Sequence, residues 1–355
     1  MKKSIYILLF FTFTFSFCKK EEAKYQVDIQ PNTLIILNEG IFTYGNASIT
    51  LYDFNTGKII QNAFFKANNK LLGDIAQSGF ILNEYLYIVI NNSGKVIKTD
   101  LSSLIEISEI NNLVSPRYSA LISANQIVLT DLYSHFLNIF DAENMSLLKK
   151  VYIGHSSEQI IIHNDFLYTV SWNNDSMLLK ISISDFKIID SLALTYQPNS
   201  LVIDKNNNLW ILCDGGLWCN ADTLMKPALW QVNPENLQII KKLKFEDITL
   251  SPSHLCINAT KDTIFFLISS WTNTNNSKYG VYRMSIRDSL PTSPWIKQST
   301  QTFYSLQYIK EKKWIVITDA RDFTTNGQVL IYNSLANLLF TIDAGIIPGY
   351  VIYKN

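Results

Sequence analysis

Short apolar runs recur along the whole chain, separated by Asn, Asp, Ser and Gly, and no stretch beyond the first seventeen residues sustains a helical period. Leu34–Leu37, Ser48–Tyr52, Ile59–Phe64 and Phe166–Val170 are typical; each is long enough for a strand, and the intervening residues are those that favour tight reversals. One opening stroke precedes an apolar run again and again: Ile75-Ala76-Gln77-Ser78, Pro116-Arg117-Tyr118-Ser119, Ser157-Glu158-Gln159, Pro198-Asn199-Ser200, Pro252-Ser253-His254, Phe303-Tyr304-Ser305 and Pro348-Gly349-Tyr350. Marking the copies by Ser78, Ser119, Gln159, Ser200, His254, Ser305 and Tyr350 gives intervals of 41, 40, 41, 54, 51 and 45 residues. A period of about 40–50 residues built from short strands is the signature of β-propeller blades.

The pattern therefore predicts an all-β, seven-bladed β-propeller over residues 33–355. Six blades run in order: Ile75 to Ile110, Tyr118 to Ile153, Glu158 to Leu194, Asn199 to Phe245, Ser253 to Gln298 and Tyr304 to Ile342. The remaining blade needs four strands, of which the N-terminal part supplies three and Tyr350–Tyr353 the fourth. Pairing of the C-terminal strand with the N-terminal strands closes the ring and removes exposed sheet edges. Loops between the second and third strands are long in four blades: Glu39–Asn46, Asp214–Pro227, Trp271–Tyr279 and Asp319–Gly327. Extra loop length on one face of a repeat protein marks its binding face. These loops, with shorter ones, carry Phe42, Tyr44, Trp172, Trp218, Trp271 and Phe323, which predicts an aromatic platform around one mouth.

The N-terminus reads as a processing segment. Lys2 and Lys3 precede an apolar stretch from Ile5 to Phe17, too short to span a bilayer as a helix, and Cys18 follows directly. This layout resembles a bacterial lipoprotein signal over residues 1–17, in which Cys18 is lipidated and residues 18–32 form a polar tether. Phe17 stands where such signals usually carry a small residue. The run Lys19-Lys20-Glu21-Glu22 resembles the export tag of Bacteroidota surface lipoproteins, which implies an outer-membrane, cell-surface location.

The chain has 30 basic and 30 acidic residues and no basic run in its body, which argues against nucleic acid as a partner. Cys213, Cys219 and Cys256 remain after the signal; Cys213 and Cys219 flank a loop that a disulfide would staple, and buried free thiols are the alternative. Four histidines, at 135, 155, 163 and 254, are scattered, and no metal or cofactor site is expected. Sequence signatures of a serine hydrolase elbow, a zinc protease, a phosphate-binding glycine loop and a haem attachment site are all missing, so a non-enzymatic role is expected. Glu158, Asp131 and Asp319 fall near strand ends, where carboxylates more often cap turns than act as acid or base.

The candidate ligand-binding residues are those opening the first strands, which crowd the axis of a propeller: Gln77, Arg117, Tyr118, Glu158, Asn199, His254, Tyr304 and Tyr350. Trp172, Trp218 and Trp271 join them from the loops. Together they would offer amide, guanidinium, phenol and imidazole groups beneath an apolar rim.

Two stretches are familiar. Leu37-Asn38-Glu39-Gly40 with Asn46–Asp53 and Phe64–Leu72 running into Gly73-Asp74-Ile75-Ala76-Gln77-Ser78, and later Leu209–Gly216 with Lys226–Val232, resemble the opening and the fifth blade of the YncE-like propeller lipoproteins of Bacteroidota, a family that includes the BtuG-type cobalamin-capturing proteins. The resemblance implies a surface lipoprotein that binds a corrinoid and hands it to a TonB-dependent outer-membrane transporter. A protein-binding envelope scaffold, and a propeller lyase or quinoprotein-like enzyme, are the competing readings.

Overall fold

The computed structural model describes residues 26–217, 224–269 and 276–355. Seven four-stranded antiparallel sheets follow one another around a ring. The innermost strand of each blade comes first in sequence: Ala76–Leu82, Pro116–Leu121, Ile160–His163, Pro198–Ile203, Pro252–Ile257 and Phe303–Ile309 open blades 2 to 7. Blade 1 takes its innermost strand, Pro348–Lys354, from the C-terminus, paired antiparallel with Thr33–Asn38; Ser48–Asp53 and Ile59–Ile60 complete the sheet. The predicted closure is therefore how the ring is made.

Why these runs are apolar without alternation follows from the packing. In blade 1, Leu34 and Ile36 face blade 7, while Ile35 and Leu37 face blade 2, and all four are fully buried. Both faces of a blade are covered, so both sets of alternating side chains must be apolar. Seven hydrophobic clusters result, one at each junction between neighbouring blades. The junction that closes the ring is reinforced by Tyr52, Phe54, Trp314, Phe340 and Tyr353, whose rings meet at 4.8–6.4 Å.

Two sequence expectations change. The expected strand Ile59–Phe64 stops at Ile60, and a six-residue helix, Ala63–Asn68, follows; Ala63 and Phe64 are buried in the junction with blade 2. Asn62 and Asn69, both left-handed, bracket that turn and break the strand geometry. The expected tether is also docked at its end. Val27 and Ile29 are buried against blades 1 and 2, and Ile29 N donates to Ser102 O. Ser102 lies in the turn between the third and fourth strands of blade 2, so the N-terminal segment joins the ring on the face opposite the loops between second and third strands.

The outer strands carry a repeated irregularity. In blades 2, 3, 4, 5 and 7 the ladder between third and fourth strands skips one residue, namely Ile107, Leu148, Ile189, Ile240 and Leu339. Each is an aliphatic side chain left largely exposed. Such bulges twist an edge away from pairing with another chain, which is what an open blade edge requires.

Truncation after Ile347 removes the innermost strand of blade 1 and opens the ring at its aromatic junction. We expect the truncated chain to lose its cooperative thermal transition; a melt within a few degrees of the intact chain would show that closure is dispensable.

Candidate functional site

The seven innermost strands do not enter the axis as regular strands. The ladder between first and second strands is offset at the start of every blade. It passes over Gln77 in blade 2, Asn199 in blade 5 and Gly349 in blade 1. In blades 3, 6 and 7 it sets two residues, Arg117-Tyr118, His254-Leu255 and Tyr304-Ser305, against one. In blade 4 the same offset shows as Glu158 N donating to Val170 O while Val170 N donates to Gln159 O. A bulge redirects the side chain of the extra residue. Repeated around the ring, it turns one or two side chains onto the axis in each of blades 2 to 7, while in blade 1 the extra residue is Gly349. The opening stroke legible in the sequence is this bulge.

These residues line one open cavity of about 790 Å³ at the mouth of the channel. Gln77, Arg117, Tyr118, Glu158, Trp172, Asn199, His254, Tyr304 and Tyr350 all contribute to its wall. Trp218 and Trp271 lie outside the described residues. Phe42 and Phe323 join the wall, whereas Tyr44 does not: it is 73% exposed and stands off from the cavity.

The wall is held by a buried ion pair. Arg117 Nε donates to Glu158 Oε2 at 2.8 Å and its Nη2 to Oε1 at 2.6 Å, a bidentate geometry across blades 3 and 4. Its Nη1 donates to Gln77 Oε1 in blade 2. One guanidinium thus ties three blades at the axis. Burial works against its charge, but Glu158 and the surrounding groups hold its proton more firmly than in water. Tyr304 donates its hydroxyl to Glu39 Oε2 at 2.8 Å, linking blades 7 and 1. Gly349 fits against that carboxyl because it has no Cβ, which would sit 2.3 Å from Glu39 Oε1.

Sequence reading missed Glu39, Asp214 and Gln159, all of which line the cavity. Burial raises the Glu39 carboxyl to about 7, against the opposing effects of Tyr304 and Arg117. Asp214 is also raised to about 7 by burial, although Trp172 Nε1, at 3.0 Å, and Gly216 N donate to it. His254 is pushed down to about 4 by burial and by Arg117, so its imidazole is neutral at ordinary pH. A signal for Asp214 was present in a second recurrent position. Asn38, Asn91, Asp131, Ser171, Asp214, Ser269 and Asp319 all stand where a second strand ends, and Glu39 follows the first of them. Most serve the fold. Asp131 accepts Ser115 N, Tyr133 N and Ser134 N, and Asp319 accepts Thr302 N and Arg321 N.

Free cysteines bear on the site only marginally. Cys213 is buried in the junction of blades 4 and 5, and Cys256 lines the channel wall; both are free thiols. Cys219 lies outside the described residues. No cluster of three metal-ligating side chains occurs among the described residues.

A family model for a domain of unknown function, DUF5074, matches residues 32–336. The chain belongs to this family. Among curated proteins nothing matches. Solved structures do. A quinoprotein alcohol dehydrogenase-like protein of Bacteroides thetaiotaomicron aligns at a TM-score of 0.67 and 14% identity, over 91% of this chain and 78% of the other. A putative 6-phosphogluconolactonase of Bacteroides fragilis aligns at 0.64 and 12%, covering 91% and 98%. The periplasmic gluconolactonase of Pseudomonas aeruginosa aligns at 0.60 and 10%, covering 91% and 99%. At such identities the likeness is one of fold.

Two outcomes test this geometry. Replacing Arg117 by Met leaves the Glu158 carboxylate buried without a partner, which should cost about 3–5 kcal/mol, and adding Glu158→Leu should recover most of it. Denaturant titration of the three proteins checks this, and an unaltered single variant would show that the pair is idle. Glu39→Gln should raise stability at pH 8 by about 1–3 kcal/mol. The sign follows from the raised carboxyl: in the unfolded chain it ionises near 4.5, in the folded chain near 7, so stability present below pH 4.5 drains away as pH rises to 7. The advantage of Gln should therefore vanish by pH 4.5 in thermal melts, and a variant less stable than its parent at pH 8 would contradict the assignment.

Proposed function

We propose that this chain is an envelope ligand-capture propeller: a protein anchored through Cys18 that takes a bulky, polar nutrient of the corrinoid class into its axial cavity and passes it to a TonB-dependent outer-membrane transporter. The observation that carries the capture reading is the convergence of all seven innermost strands on one open cavity. Its volume falls in the range of small-molecule sites, and aromatic rings rim a wall of polar groups. A macrocycle edged with amides would meet rings on its faces and hydrogen-bonding groups at its periphery. The placement of the N-terminal segment supports the anchored arrangement. It joins the ring on the face opposite the mouth, so a chain tethered from that side presents its cavity away from the membrane.

One observation favours a second reading. Glu39, buried beside Tyr304 with its proton held to about pH 7, has the character of a general acid or base. Lactone hydrolysis, the reaction named for two structural neighbours, is the chemistry to try first.

Calorimetric titration of the full chain in detergent with cobinamide and cobalamin tests capture. We expect sub-micromolar binding, weakened about tenfold by Trp172→Ala or Phe323→Ala. No heat at tens of micromolar, together with turnover of gluconolactone that Glu39→Gln abolishes, would replace capture by catalysis.

A further inference from the structure

The hydrogen bonds of the cavity wall divide its polar groups into two sets. The amides of Asn91, Asn199 and Gln307 are consumed by the protein itself. Asn91 donates to Ser115 and Pro116 O, Asn199 to Pro252 O while accepting from Ser200, and Gln307 bonds both ways with the backbone of Val351. Asn199, a candidate ligand contact from sequence, is thus a tie between blades 5 and 6. Gln77 and Gln159 are different. Their carbonyl oxygens are taken, by Arg117 Nη1 and Leu201 N, but their amino groups donate to nothing among the described residues. Gln77 is only 8% exposed and lines the cavity. The Tyr118 and Tyr350 hydroxyls likewise have no partner among the described residues. Arg117 uses three of its five N–H groups, leaving one on each Nη. Gln77, Gln159 and Arg117 thus keep unused N–H donors at the axis, and the Tyr118 and Tyr350 hydroxyls can donate beside them.

Charge narrows the class further. Among the described residues of the wall, Arg117 is the only Lys or Arg, and Glu158 neutralises it at 2.6 Å; Glu39 and Asp214 are the other carboxyl groups described there. An anion entering the cavity would meet donors whose one positive charge is already compensated, with further carboxyl groups nearby. An uncharged oxygen acceptor accepts the same hydrogen bonds without that repulsion.

We propose that the axial cluster of Gln77, Arg117, Tyr118 and Tyr350 is a carbonyl-recognition site that selects ligands bearing uncharged amide or similar carbonyl oxygens and rejects the corresponding carboxylates. This deepens the capture reading and rests on it. Cobinamide, whose corrin periphery carries amides, and cobyrinic acid, which carries carboxylic acids in their place, are the discriminating pair. Calorimetry on the full chain at pH 7.5 should give cobinamide at least about 30-fold tighter than cobyrinic acid. Tyr118→Phe and Tyr350→Phe, which keep the rings and remove one donor each, should weaken cobinamide about 3–10-fold and leave the thermal midpoint unchanged. Equal or tighter binding of cobyrinic acid, or Phe variants that bind cobinamide as the parent does, overturns the carbonyl site while leaving capture standing. Binding of neither compound overturns capture, and the carbonyl site with it.

Discussion

Closure of the ring is the constraint on which everything else rests. Each blade buries both faces against its neighbours, so a missing partner at any junction exposes a full apolar sheet face to water. The first and last described strands lie in the same blade, and the pairing of Thr33–Asn38 with Pro348–Lys354 converts an open stack with two raw ends into a closed one. The aromatic cluster around Phe54 and Trp314 packs this completed blade against blade 7, through residues far apart in the chain. The outermost strands cannot be covered in this way, and bulges in five blades leave those edges open without inviting further pairing.

The same closure makes the cavity. Seven innermost strands around an axis bring their opening residues together whatever those residues are, and the recurrent bulge turns them inward. The chain fills the resulting space unevenly. Arg117 spends a buried charge on linking blades 2, 3 and 4, and Tyr304 with Glu39 links blades 7 and 1. A buried charge pair stabilises little over well-packed apolar groups and breaks expensively, so it fixes geometry more than it adds stability. Polar residues here do two jobs at once: some close the ring from inside, and the rest are left facing an open space.

That division explains why candidate residues could be collected from the repeats but not sorted. Asn199 and Gln77 occupy equivalent bulge positions in blades 5 and 2 and carry the same functional group. One amide is committed to Pro252 O and Ser200, the other leaves its amino group without a partner among the described residues, and the difference lies in neighbouring groups. Glu39 and Asp214 escaped notice for a related reason. Their importance comes from desolvation, which is a property of the assembled ring and not of any local stretch.

The sequence by itself determined the architecture, because a blade is a local object: short apolar strands, Asn and Asp turns and a 40–54-residue interval between opening strokes are all written in contiguous residues. It also located the axial residues, since a fixed position in a repeat maps to a fixed position around a ring. It erred where a local pattern was overridden by packing, as in Phe64, drawn into a helix at the junction with blade 2, and Val27 and Ile29, which pack although their segment reads as polar tether. Only the tertiary structure decided which axial groups are paired with each other and which stay unpaired among the described residues, because hydrogen bonds between blades join residues about 40 or more positions apart, and no spacing along the chain encodes their geometry.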